Sequence, residues 1–157
     1  MMYSALAVAN AFLEMAERED KQLSNMQLQK LVYIAHGFNL ALFGEPLFYN
    51  NVHAWEWGPV IPKLYKLLRK YGAGLVTDKL QLSEEEEPVD PGSREISVIK
   101  NVWTAYGKFS GAKLSAMTHR EGSPWSKVWQ EQQYAVIPTE VIAENYQQLL
   151  NGKAENP

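Results

Sequence analysis

The chain has 157 residues, 46% hydrophobic and 11% aromatic, with a formal charge of −3. That length and apolar share suit one domain with its own core and are too short for two comfortable ones. The lack of a Lys/Arg-rich run argues against a nucleic-acid backbone as the main partner, and the absence of cysteine excludes disulfides and thiolate metal sites.

The N-terminal stretch has no basic leader and turns polar by Glu17, and no apolar run approaches the ~18 residues that crossing a bilayer requires. A cytoplasmic protein with no membrane partner is therefore expected. Residues 4–19 read as an amphipathic helix capped by Ser4, with Leu6, Ala9, Leu13 and Ala16 on its stripe. Its end, Glu17-Arg18-Glu19-Asp20, reads as a solvated last turn.

The next helix, over 25–43, is the predicted hub. Ser24 followed by Gln27 is a capping-box pattern, and Gly44 with Pro46 beyond it is a stop. Leu28, Leu31, Ala35, Phe38 and Leu42 form one apolar stripe. Val32, Leu40 and Phe43 form a second, and Ile34 with Ala41 a third. A helix apolar on most sides is enclosed by other helices. The polar residues it carries inward, Gln29, Lys30, Tyr33, His36 and Asn39, then need partners, because burying an unpaired polar group is costly.

Residues 50–57 alternate in the manner of a short strand, which Gly58-Pro59 ends. A third helix is predicted over about 59–71, with Pro59 and Pro62 in its first turn and Val60, Leu64, Leu67 and Leu68 inward. Residues 75–77 and 80–82 are expected to be short strands pairing with 52–57. The acidic run from Glu84 to Glu87, with Pro88 and Pro91 after it, reads as a solvated loop.

Ser93 opens a helix carrying Ile96, Ile99, Trp103 and Tyr106; Ser110 caps a short one; Ser123-Pro124 starts another; the last covers about 138–150. The expected fold class is mainly α. Residues 1–150 form a single compact helical domain, with six to seven helices around a buried central one. A minor β element is expected near 52–57 and 75–82, and 151–157 is expected to be a flexible tail.

The chain's chemistry is sparse. The histidines His36, His53 and His119 form no spaced ligand set, and the His119-x-Glu121 pair lacks the cysteines of a zinc deaminase, so no metal is expected. No G-x-S-x-G or phosphate-binding glycine loop occurs, so no catalytic residue and no cofactor are assigned. Acid/base work by His119 and Glu121, with Glu56 or Lys30, is the enzyme alternative. It requires that the side chains of His119 and Glu121 point together into a cleft beside the hub helix.

Two constellations stand out: Trp55-Glu56-Trp57-Gly58-Pro59, and Thr118-His119-Arg120-Glu121 with Pro124-Trp125. On a structural reading they lock loops onto the hub. Trp and His N–H groups then donate to backbone carbonyls, and a glutamate caps a helix or pairs with Lys30. On a binding reading they form a rigid groove whose Trp and Arg anchors receive a partner protein. The two readings are compatible. The candidate set is Lys30, Tyr33, His36, Trp55, Glu56, Trp57, Gly58, Pro59, Thr118, His119, Arg120, Glu121, Pro124 and Trp125.

The ordered blocks LQKLVYIAHGFNLALFGEPLF, AWEWGPVIPKLY and LSAMTHREGSPW resemble the signature of the Panacea domain family. That family includes SocA-like antitoxins and phage-associated GepA-like proteins. The resemblance implies a mainly helical domain that binds and neutralises a toxin encoded by an adjacent gene. In SocA-like members it further implies an adaptor that delivers the toxin to the Clp protease, ClpXP. The matching positions are Lys30, Tyr33, Gly37, Trp55, Gly58, Pro59, Thr118, His119, Glu121, Pro124 and Trp125, for which the resemblance implies no catalytic role. No stretch reads as a DNA-binding segment, so nucleic acid is not an expected partner. The remaining alternative is a phage or mobile-element host-interaction factor without a toxin.

Overall fold

Ser24 and Gln27 cap one another, each side chain accepting from the other's backbone N–H at 3.1 and 2.8 Å, and this box starts the central helix α2 (Asn25–Phe43). Gly44 ends it in the left-handed region at φ 70°. The computed structural model describes residues 2–157. Among them α1 (Ala5–Arg18) precedes α2, followed by β1 (His53–Trp55), β2 (Gly58–Val60) and α3 (Pro62–Leu68). A 3-10 turn, Arg69–Tyr71, leads through a long loop to α4 (Arg94–Tyr106), α5 (Gly111–Thr118), α6 (Pro124–Glu131) and α7 (Thr139–Leu150).

Helix starts follow one rule. Ser4, Ser93, Ser110 and Ser123 each accept from the backbone N–H three residues on, at 3.1 to 3.2 Å. Pro124 takes the first position of α6.

Helix α2 lies at the centre of one core and packs against α1, α4, α5 and α7. Residues 28–37 are all buried, as the several apolar stripes predict. Leu42 is an exception at 51% exposed, lying in an open groove with Phe38, Tyr106 and Leu150. Gly37 allows the closest approach: a Cβ at this position would lie 2.3 Å from the Tyr146 ring of α7.

Most polar residues that α2 buries are answered by backbone. Gln29 accepts from the Ile61 N–H and donates to its carbonyl, at 3.1 and 3.3 Å. Asn39 donates to the Glu45 carbonyl at 2.8 Å, and His36 Nδ1 accepts from the Leu47 N–H at 3.3 Å. The His36 ring stacks on Phe48 with centroids 4.0 Å apart. Burial pushes its pKa down to about 3, so the ring is neutral. The Tyr33 and Tyr146 hydroxyls are buried within reach of each other but make no well-formed hydrogen bond among the described residues, and burial raises both pKa values.

The sheet differs from the sequence expectation. Strands β1 and β2 form an antiparallel hairpin with Ala54 opposite Pro59 and Trp55 opposite Gly58. Pro59 and Val60 therefore belong to the hairpin, and Pro62 is the proline in the first turn of α3. Residues 75–82 form no strand with β1; Leu75 makes only an isolated bridge to Ser24. Asn10 explains Leu80, accepting from its N–H at 2.7 Å and donating to its carbonyl at 2.8 Å, so one side chain does the work of a neighbouring strand. The outer edge of β1 is covered by residues 134–137, through Ala54 N–H to Ala135 O and Tyr134 N–H to Ala54 O, both 2.9 Å. On α3, Leu67 is turned outward and is 39% exposed, contrary to its predicted place. The charged end of α1 is not wholly solvated either: the Trp103 indole donates to the Glu19 carboxylate.

Candidate functional site

The β1–β2 hairpin carries Trp55 to Pro59 and is clamped from three sides. From α2, Lys30 reaches beneath it and its Nζ donates to the Pro59 carbonyl at 2.8 Å. From α5, the Ser115 hydroxyl donates to the Trp57 carbonyl at 2.8 Å. From α6, the Trp125 indole donates to the Trp55 carbonyl at 2.6 Å. Gly58 sits over the lysine at φ 118°, a backbone conformation that favours glycine, and a Cβ there would crowd Nζ at 3.1 Å.

The second constellation supplies the Trp125 arm of this clamp and the turn that places it. Thr118 is buried and its hydroxyl donates back to the Leu114 carbonyl at 2.9 Å, finishing α5. His119 Nδ1 donates to the Ser115 carbonyl, which fixes the tautomer. Its ring meets the Trp125 ring edge-on at 5.4 Å, and Trp125 stacks on Trp129 at 5.5 Å. Arg120 and Glu121 lie exposed on the turn before α6, whereas Pro124 is buried at its start. Tyr33 and His36 are core residues of α2, away from the hairpin's outer face.

Lys30 is 2% exposed, and no carboxylate among the described residues comes within ion-pair reach of it, so no glutamate answers it. Burial lowers its pKa to about 7. His119 and Glu121 do not meet in the cleft beside α2. His119 is tied to its own helix, Glu121 makes no hydrogen bond among the described residues, and neither lines that cleft. No group of His, Asp and Glu suited to a metal occurs among the described residues.

The cleft itself has a volume of about 610 Å³ and is lined by Met26, Trp55, Trp57, Tyr65 and Tyr134, with Lys30 among them. Trp57 is 64% exposed and Tyr134 is 54% exposed, while the Trp55 ring meets Tyr65 edge-on at 5.1 Å. Met26, Tyr65 and Tyr134 were not singled out by the sequence, because they come from separate elements with ordinary spacing. The only available hint was their aromatic or thioether character at positions outside the apolar stripes.

A small helical domain with an aromatic-lined cleft that neither His119 nor Glu121 enters is the class that fold and site define. Residues 28–126 match the family model "Antitoxin SocA-like, Panacea domain". Antitoxin SocA of Caulobacter vibrioides (strain NA1000 / CB15N) is 36% identical over 131 residues, covering 79% of this chain and 69% of that protein. No solved structure matches. The chain belongs to the SocA-like, Panacea-domain antitoxin family. Among the described residues, no helix is long and apolar enough to cross a membrane.

Proposed function

We propose that this protein is an antitoxin that binds a cognate toxin, encoded by the adjacent gene, through the Trp55–Trp57 hairpin and its cleft. Family membership supports the antitoxin role. The observation that carries the choice of surface is Trp57, a large ring left 64% exposed on a hairpin whose backbone is held by three other elements. Ordering an exposed ring in advance lowers the entropic cost of docking, and Trp, Tyr and Met are enriched at the centres of interfaces. The reading places the protein in the cytoplasm with its toxin and assigns it no catalysis. His119, bound to a helix carbonyl, and Glu121, alone on an exposed turn, favour a structural and a surface role respectively.

Co-expression with the adjacent gene tests it. The wild-type chain should rescue growth and copurify with that product, and Trp57→Ala should lose both while remaining folded. Failure of the wild-type chain to rescue or copurify would overturn the proposal. Toxin half-life with and without ClpXP then separates delivery to the protease from simple sequestration.

A further inference from the structure

Lys30 buries its amino group with one acceptor among the described residues, the Pro59 carbonyl, and burial leaves it only partly protonated near neutral pH. Tying the hairpin to α2 needs only a neutral donor; Gln29, the residue before it, ties Ile61 in that way. Burial disfavours the charged amine, so it is held fully protonated only where an anion answers it. The surroundings add to the demand. Lys30 lines the cleft together with the first turn of α2, where the Asn25 and Met26 N–H groups donate to no acceptor among the described residues. Such N–H groups and the helix dipole favour an anion. Arg69 also lines the cleft, exposed and without an ion pair among the described residues, against one carboxylate there, Glu56.

We infer that the cleft recognises an acidic side chain of the partner protein, seated against Lys30 Nζ and the first turn of α2, with a neighbouring apolar side chain packed between Trp57 and Tyr65. The inference rests on the reading of this cleft as the docking face and adds its chemistry. The carboxylate supplies the counter-charge that no described residue brings within ion-pair reach of Lys30, and the rings cover the exchange from water. Placing charge recognition at the bottom of an apolar cleft makes the contact selective, because a neutral isostere leaves the lysine unanswered.

The test uses blocked tripeptides on the wild-type chain, followed by NMR of the Lys30 side chain and the Trp57 indole. Ac-Phe-Glu-Leu-NH2 should bind saturably and shift both signals, and Ac-Phe-Gln-Leu-NH2 should bind roughly ten- to a hundredfold more weakly. Equal binding of the two, or no shift at Lys30 with either, overturns the inference. Stronger binding of Ac-Phe-Gln-Leu-OH than of the Glu peptide also overturns it, in favour of a chain terminus. Lys30→Met, checked for folding by its melting curve, should abolish the Glu-over-Gln preference. If Trp57→Ala destroys toxin binding but the two peptides are not distinguished, the docking face stands and the acidic anchor falls.

Discussion

Lys30 of the central helix donates from Nζ to the carbonyl of Pro59 at 2.8 Å, joining the hub to the hairpin with no carboxylate of the described residues in ion-pair reach. Through this bond a core residue fixes the height of the exposed Trp57. The bond has a titration signature. The lysine pKa falls from its ordinary value near 10.5 to about 7 on folding, so above pH 7 the unfolded chain binds a proton that the folded chain does not. Stability from this group therefore rises with pH from about 7 to the unfolded lysine value near 10.5. Denaturant midpoints across that window should climb in the wild-type chain and flatten in Lys30→Met.

His36 acts at the other end of the scale. Buried neutral against Phe48, it has a pKa of about 3, whereas the unfolded chain takes up its proton near 6.5. Stability is fully present above that value and is lost as pH falls toward 3, by a few kcal/mol in order of magnitude. His36→Gln, which keeps an acceptor for the Leu47 N–H, should show a shallower loss of denaturant midpoint over the same acid range.

The two tryptophans near the cleft should separate. Trp57→Ala removes a ring 64% exposed and should change stability by no more than about 0.5 kcal/mol. Trp125→Ala removes the bond to the Trp55 carbonyl and the stack on Trp129, and should cost roughly 2–4 kcal/mol. Thermal melts of both variants check the contrast. Comparable losses would mean that Trp57 is held by packing.

At the contact of α2 with α7, Gly37→Ala drives a methyl group into the Tyr146 ring and should cost about 1–3 kcal/mol, or more if α7 cannot shift. Tyr146→Phe should be close to neutral, within about 1 kcal/mol of either sign, since the hydroxyl it deletes meets only that of Tyr33 and in no well-formed hydrogen bond. Urea titration of the two variants measures both effects.

The helical frame was legible because its signals are local. Ser4, Ser24, Ser93, Ser110 and Ser123 all cap where their spacing predicts, and the many-sided apolar pattern of α2 marked it as the enclosed hub. The hairpin return was not legible. Its two-residue loop, Glu56-Trp57, has no Asn-Gly or Asp-Gly signature, and Pro59 suits the first turn of a helix as well as the strand it occupies. Residues 75–82 carry strand-like side chains, yet Asn10 satisfies Leu80 from 70 residues away, a partnership that no local window contains. The cleft was missed for the same reason: Met26, Tyr65 and Tyr134 meet only in three dimensions.

Hydrogen–deuterium exchange of the chain alone and in complex with the adjacent gene's product tests the docking face most directly. Protection should concentrate on residues 55–58, on the first turn of α2 around Met26, and on Tyr65 and Tyr134. Protection confined instead to the apolar groove formed by Phe38, Leu42, Tyr106 and Leu150, with residues 55–58 exchanging as in the free chain, would contradict it.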